Sequence, residues 1–169
     1  MAERRGTVAP MRRLALASLA AIGPGLAYAQ QPLLLDPERA FAFSVQALDE
    51  RTVEARFSIA DGYYLYRDKL RFAVEPGALA PVDLPPGEVH EDEYFGKVAI
   101  YRHEVAVRLP LAAAAPRSRL TVTAQSQGCA DAGVCYLPQT QRVSVTLPAA
   151  GAPPGPAVSA APAKKSWLD

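Results

Sequence analysis

Cys129 and Cys135 are the residues of this chain most able to do covalent chemistry. They sit in Gln127-Gly128-Cys129-Ala130-Asp131-Ala132-Gly133-Val134-Cys135-Tyr136 with five residues between them, and the sequence holds no third cysteine. Such a pair admits three chemistries: a structural bridge, a thiol–disulfide couple, or two metal ligands. A ring this small removes little loop entropy, so a bridge here is a weak staple. The enclosed residues are small or polar, and the glycines at 128 and 133 let another backbone approach the sulfurs. C-x5-C is not a recognised zinc spacing, and only His90 and His103 offer imidazoles to complete a metal site. Spacing leaves the three readings open.

Other side chains bear on that choice. Alternation in Tyr63-Tyr64-Leu65-Tyr66 places Tyr64 and Tyr66 on one face of an extended segment. Their phenols suit hydrogen bonding to a developing thiolate, and they suit packing at a sheet edge equally well. Asp131 lies inside the ring, where like charge opposes a nearby thiolate, so reactivity is expected to depend on a docked partner. His90 with Glu91, Asp92 and Glu93 reads as a solvated acidic loop rather than a metal site. No metal and no cofactor are expected.

The elements that must hold these residues are strands. Phe41, Phe43, Val45; Val53, Ala55, Phe57, Ile59; Val105, Val107, Leu109; Leu120, Val122, Ala124; and Val143, Val145, Leu147 each recur with period two. That pattern puts one set of side chains in a core and the other in water. Asp61-Gly62, Glu75-Pro76-Gly77, Pro85-Pro86-Gly87, Ala115-Pro116 and the 128–133 stretch separate the runs as turns. Sixteen prolines argue against a helical fold. The expected class is all-β, a sandwich of short strands.

The flanks differ from this core. Arg4, Arg5, Arg12 and Arg13 precede an apolar run from Leu14 to Ile22, and Ala27-Tyr28-Ala29 offers a cleavage site. Residues 1–29 therefore read as a secretory signal, too short in its apolar part to span a bilayer. Without them 14 basic and 16 acidic residues remain, a net charge of −2, with no basic patch for nucleic acid. Export places the cysteines in an oxidising compartment, where a disulfide is expected. Residues 30–148 read as the folded domain. Residues 149–169, with seven alanines, four prolines and two glycines, read as a linker or tail.

Three blocks carry a family resemblance. Gln127 to Pro138, Asp61-Gly62-Tyr63-Tyr64-Leu65-Tyr66-Arg67, and His90 to Lys97 followed by Ile100-Tyr101-Arg102 closely resemble, in order, segments of the N-terminal periplasmic domain of the DsbD thiol:disulfide interchange family. The resemblance implies an immunoglobulin-like β-sandwich with the redox-active disulfide loop at one end. It implies that Cys129 and Cys135 are the redox pair, with Cys135 forming mixed disulfides, and that Asp92, Glu93, Tyr94, Phe95 and Gly96 form a cap loop over them. Tyr64, Tyr66, Asp131 and Tyr136 are expected to support the site. The implied activity is protein-disulfide reduction. Electrons would pass from a thioredoxin-like donor domain to DsbC- and DsbG-type isomerases and to thioredoxin-like proteins of cytochrome c maturation. Tyr94-Phe95 inverts the family's aromatic order, and the chain ends at Asp169 without a membrane domain. It reads as a fragment cut in a linker, its membrane connection lying in a missing or separate domain. The competing reading is a secreted β-sandwich binding module whose disulfide is only structural.

Overall fold

The computed structural model describes residues 34–92, 95–113 and 115–161. The expected signal peptide, residues 1–29, lies outside them. A single helical turn, Pro37–Ala40, leads into β1 (Phe41–Ala47), β2 (Thr52–Ile59) and β3 (Tyr63–Tyr66). A 3-10 turn, Arg67–Lys69, precedes β4 (Arg71–Glu75), β5 (Ala78–Leu79), β6 (Glu88–Asp92) and β7 (Gly96–Tyr101). Then follow β8 (Glu104–Ala113), β9 (Arg119–Ser126), β10 (Gly128–Ala130), β11 (Val134–Cys135), β12 (Gln139–Thr146) and β13 (Val158–Ser159).

The strands form three sheets, ordered β13-β1-β2-β8-β5, β12-β9-β4 and β11-β10-β3-β7-β6, with antiparallel pairing throughout. The alternation seen in the sequence becomes the burial pattern. Phe41, Phe43 and Val45 of β1 and Val53, Ala55 and Phe57 of β2 are buried in one cluster with Val122, Ala124, Val143 and Val145 of the second sheet. This is the core of an all-β sandwich, as expected. Phe43 and Phe57 are register partners with rings 4.8 Å apart, a cross-strand pair that helps fix this register.

β3 breaks the alternation, for all four of its residues are buried. Tyr63 and Leu65 join the main core, whereas Tyr64 and Tyr66 face the other way into a second, small cluster with Ile100 and Cys129. A strand buried on both faces loses the period-two signal. The second cluster holds one of the two cysteines.

One stretch departs from its expected role. Residues 149–169 read as a linker or tail, yet within the described part of that stretch β13 pairs with β1, Val158 opposite Val45 and Ser159 opposite Ser44. Gly155 N–H donates to Ala47 O at 2.9 Å, Ala160 N–H to Phe43 O at 2.8 Å, and the Gln46 amide to Gly155 O at 2.9 Å. The open edge of β1 offers unpaired backbone groups, and a strap satisfies them whatever its side chains are. Composition could not show this because main-chain bonds carry the contact.

Candidate active site

The cysteine segment leaves the end of β9, crosses to the third sheet and returns as β12. β9 and β12 pair with each other, so the 127–138 excursion is an insertion at the end of a hairpin. Inside it β10 and β11 form a smaller hairpin of their own, closed by Asp131-Ala132-Gly133. Gly133 adopts φ +80°, the left-handed position that closes three-residue loops, and its N–H donates to Ala130 O at 3.0 Å. Asp131 N–H ties the tip to Gly62 O at 2.8 Å. β10 lies against β3 with Gly128 opposite Leu65 and Cys129 opposite Tyr64. That approach requires glycine, since a Cβ at 128 would sit 2.2 Å from Tyr64 O and 2.7 Å from Phe41 Cζ.

Cys129 and Cys135 are directly opposed across this hairpin, with Cα atoms 4.0 Å apart, and are joined in a disulfide. The two sulfurs have different surroundings. Cys129 is wholly buried, whereas Cys135 lies exposed on the edge strand. Val134 before it and Leu137 after it are also exposed, an apolar rim beside the accessible sulfur.

Behind the bridge is a hydrogen-bonded chain. Tyr66 Oη lies 3.2 Å from Cys129 Sγ and 3.9 Å from Cys135 Sγ. The same hydroxyl donates to Asp92 Oδ2 at 2.5 Å, and Tyr64 donates to that oxygen at 3.0 Å. Tyr66 has a single proton and gives it to the carboxylate, so it turns lone pairs toward Cys129. Asp92 is only 6% exposed and accepts from both phenols. Burial pushes the Tyr66 phenol far above its ordinary value, and the hydrogen bond to Asp92 adds to this. Burial raises Tyr64 as well. Both phenols therefore stay protonated through the physiological range.

Asp92 also sets the turn that follows, its Oδ1 accepting the Phe95 N–H at 3.0 Å. Phe95 lies edge-on to Tyr66 with centroids 5.3 Å apart, and Lys69 Nζ stands 4.9 Å from its ring centre. Gly96, at φ +68°, reverses the chain there. On the opposite side a cleft of about 210 Å³ is lined by Tyr64, His90, Glu91, Asp92, Asp131 and Cys135. Arg102 spans its rim, donating to both Asp131 oxygens at 3.0 and 3.1 Å and to Glu88 at 3.0 Å, with its guanidinium 5.1 Å from the Tyr64 ring centre.

Comparison with known proteins agrees with this geometry. The family described as "Thiol:disulfide interchange protein DsbD, N-terminal" matches residues 31–147. The chain belongs to the DsbD N-terminal family. It is 49% identical over 126 residues to the thiol:disulfide interchange protein DsbD of Ralstonia nicotianae, covering 73% of this chain and 20% of that protein. It is 47% identical over 129 residues to DsbD 2 of Pseudomonas aeruginosa, covering 75% and 21%. The chain thus spans about a fifth of the length of these curated relatives. Among solved structures, the reduced DsbD N-terminal domain of Neisseria meningitidis superposes with a TM-score of 0.65 at 34% identity, covering 76% of this chain and 96% of that one. A complex between the DsbD N-terminal and PilB N-terminal domains of the same organism matches with a TM-score of 0.58 at 36% identity, covering 71% and 93%. The sandwich is thus that of the DsbD N-terminal domain.

The DsbD-type segments named in the sequence meet at one end of the third sheet. Cys129, Cys135, Tyr64, Tyr66, Asp92, Phe95 and Asp131 surround the bridge, whereas Tyr136 turns to the opposite face, against Phe41. Glu93 and Tyr94 lie outside the described residues. Two expectations need correction. Asp92 is not part of a solvated acidic loop: it ends β6 and is buried, because two phenols and a backbone N–H replace its water. Asp131 does not act as a bare negative charge, for Arg102 grips both its oxygens. Arg102 and Lys69 were given no role from sequence; each acts across a sequence gap that only the strand topology closes. His103 sits on an exposed turn, 3.4 Å from Asp61 and away from the cleft residues.

Proposed function

We propose that this domain exchanges disulfides with other proteins through Cys129 and Cys135, acting as the reducing relay of a protein-disulfide reductase. The observation that carries this reading is the asymmetry of the bridge: one sulfur is open to a partner at a sheet edge, and the other is sealed behind it on a phenol–carboxylate chain. A bridge meant only as a staple has no need of such a difference.

The exchange balances as two displacements. The Cys135 thiolate attacks one sulfur of a partner disulfide, forming the mixed disulfide and releasing the partner's other sulfur as a thiolate. The Cys129 thiolate then attacks Cys135 Sγ, closing the intramolecular bond and expelling the partner's second thiolate. Two electrons pass to the partner, and the two protons of the Cys129–Cys135 dithiol are matched by the two the partner thiolates take up. Tyr66 accepts the Cys129 S–H and Asp92 anchors Tyr66, which holds the buried thiol aimed at Cys135 until it is deprotonated. Reduction of the domain runs the sequence backwards, the donor's thiolate attacking exposed Cys135.

The cap loop, Asp92 to Gly96, shields the pair from unselective oxidants. The Asp92–Phe95 hydrogen bond and the edge-on contact with Tyr66 support this role for Phe95. A thioredoxin-like domain is the donor, and DsbC- or DsbG-type isomerases and thioredoxin-like proteins of cytochrome c maturation are the acceptors. A relative of this domain forms a complex with a PilB N-terminal domain, which supports docking to a separate domain. The setting is the periplasm, after export directed by residues 1–29 and as part of an inner-membrane protein.

Trapping tests the assignment. A Cys129→Ser variant, mixed with an oxidised thioredoxin-like domain, should accumulate a mixed disulfide on a non-reducing gel, because nothing resolves it. A Cys135→Ser variant should trap nothing. Equal trapping by both variants, or by neither, refutes the assignment.

A further inference from the structure

β11 is two residues long and lies at the edge of its sheet. Beyond the disulfide and its pairing with β10, the chain around Cys135 is held by Tyr136, the next residue. Its N–H donates to Gly128 O at 2.9 Å and its carbonyl accepts from the Gln127 amide at 3.4 Å. Its ring stands edge-on to Phe41, centroids 5.6 Å apart, and 6.2 Å from that of Tyr63. The Tyr136 hydroxyl donates to Leu35 O at 2.6 Å, while Leu35 N–H donates to the Tyr63 hydroxyl at 2.9 Å. Both polar groups of one residue, about 100 positions upstream, are thus gripped by two tyrosines. One of these continues the strand of Cys135, and the other begins the strand that carries Tyr64 and Tyr66.

We propose that Tyr63 and Tyr136 clamp the entering chain at Leu35 and thereby position the Cys135 strand while the disulfide is open. The inference rests on Cys129 and Cys135 being the exchanging pair. In the oxidised domain the S–S bond itself fixes β11 to β10. When it opens, that covalent tie is gone, and the Tyr136 contacts keep Cys135 facing Cys129. The clamp therefore acts on the dithiol and the mixed disulfide. It raises the effective concentration of one sulfur at the other, which favours ring closure. Tyr63 and Tyr136 are positioning residues, since neither touches a reacting atom. Burial, reinforced by the Tyr63 hydroxyl, pushes Tyr136 up to about 12, so it remains a hydrogen-bond donor at working pH.

Tyr136→Phe removes the hydroxyl and keeps the ring between its aromatic neighbours. With glutathione as the probe, no partner protein is needed. In the resolving step Cys129 thiolate attacks Cys135 Sγ of the Cys135–glutathione mixed disulfide, the bond to glutathione breaks, and glutathione leaves as its thiolate. The net worth of one hydrogen bond sets the expected effect. The equilibrium constant for forming the domain disulfide should fall about fivefold, which is roughly 20 mV toward the oxidising side at 29.6 mV per tenfold. Resolution should slow by a similar factor, while attack of oxidised glutathione on exposed Cys135 stays unchanged. Leu35→Pro deletes the N–H given to Tyr63, and combined with Tyr63→Phe it should add nothing further. In the reduced wild-type domain the Tyr136 amide should remain protected from hydrogen exchange, a measurement that needs no variant to fold. An unmoved equilibrium constant in Tyr136→Phe, equal slowing of attack and resolution, or an unprotected Tyr136 amide overturns the clamp. If the wild type itself fails to exchange with glutathione, the exchange reading falls instead.

Discussion

Replacing Asp92 by Asn should reverse the polarity of the hydrogen bond that meets Cys129. In the native site Oδ2 accepts from Tyr64 and Tyr66, and Oδ1 accepts from Phe95 N–H. A carboxamide fits the same space with its oxygen toward Phe95 and its NH2 toward the two phenols, donating one proton to each. The buried Tyr64 hydroxyl loses the acceptor it had in Asp92, so unfolding free energy should fall by about 1–3 kcal/mol. The Tyr66 proton, no longer given to residue 92, is then free to point at Cys129 Sγ, 3.2 Å away. A hydrogen bond to a charged group is worth about 1.5–3 kcal/mol, or about ten- to a hundredfold in the thiolate population of Cys129 at fixed pH. A less basic thiolate is a weaker nucleophile, with a Brønsted coefficient of about 0.4–0.5, so resolution of a mixed disulfide at Cys135 should accelerate only about three- to tenfold. Rapid-mixing measurement of that step in Asp92→Asn checks the figure. Adding Tyr66→Phe to Asp92→Asn should abolish the gain. Resolution that slows in Asp92→Asn, or a gain that survives loss of the Tyr66 hydroxyl, refutes the proton arrangement.

Other outcomes follow from the same geometry. Gly128→Ala drives a Cβ against Tyr64 O and the Phe41 ring, and it should cost about 3 kcal/mol and lower Tm by roughly 10 °C; a melt within 3 °C of wild type, taking ~3 °C as under 1 kcal/mol, would contradict the close approach. Phe95→Ala removes a half-exposed ring, so stability should change by less than about 1 kcal/mol, while oxidation of the dithiol by a small non-partner disulfide becomes several-fold faster. An unchanged oxidation rate in that variant would show that Phe95 shields nothing. Burial holds Tyr64, Tyr66, Tyr101 and Tyr136 above their ordinary values, so the unfolded chain loses these protons first as pH rises. Their stabilising contribution is intact below about pH 10 and is lost progressively above it, which denaturant titrations across that range should register as falling unfolding free energy.

Much of the framework can be read along the chain. Phe41, Phe43 and Val45, or Leu120, Val122 and Ala124, alternate because each strand has one wet face and one dry face. A period of two survives any error in strand order. The cysteines announce themselves by type and number. Their immediate neighbours are legible as well, since a three-residue loop ending in Gly133 needs only local backbone geometry. The spacing of Tyr64 and Tyr66 likewise puts both phenols on one face before any partner strand is known.

What the chain alone could not reveal depends on residues distant in sequence and adjacent in space. Asp92 reads as one acid among three, and it becomes a buried acceptor only because β7 folds β6 back over the tyrosines of β3. Arg102 meets Asp131 across 29 positions, and Tyr136 meets Leu35 across 101. The edge pairing of residues 158–159 has no side-chain signature at all. Side-chain periodicity reports which way a residue faces, so the strands and the position of the two cysteines were available from composition and order. Which sulfur is sealed and which is open depends on what the neighbouring strands lay over it, and burial of that kind is a property of the assembled sheet.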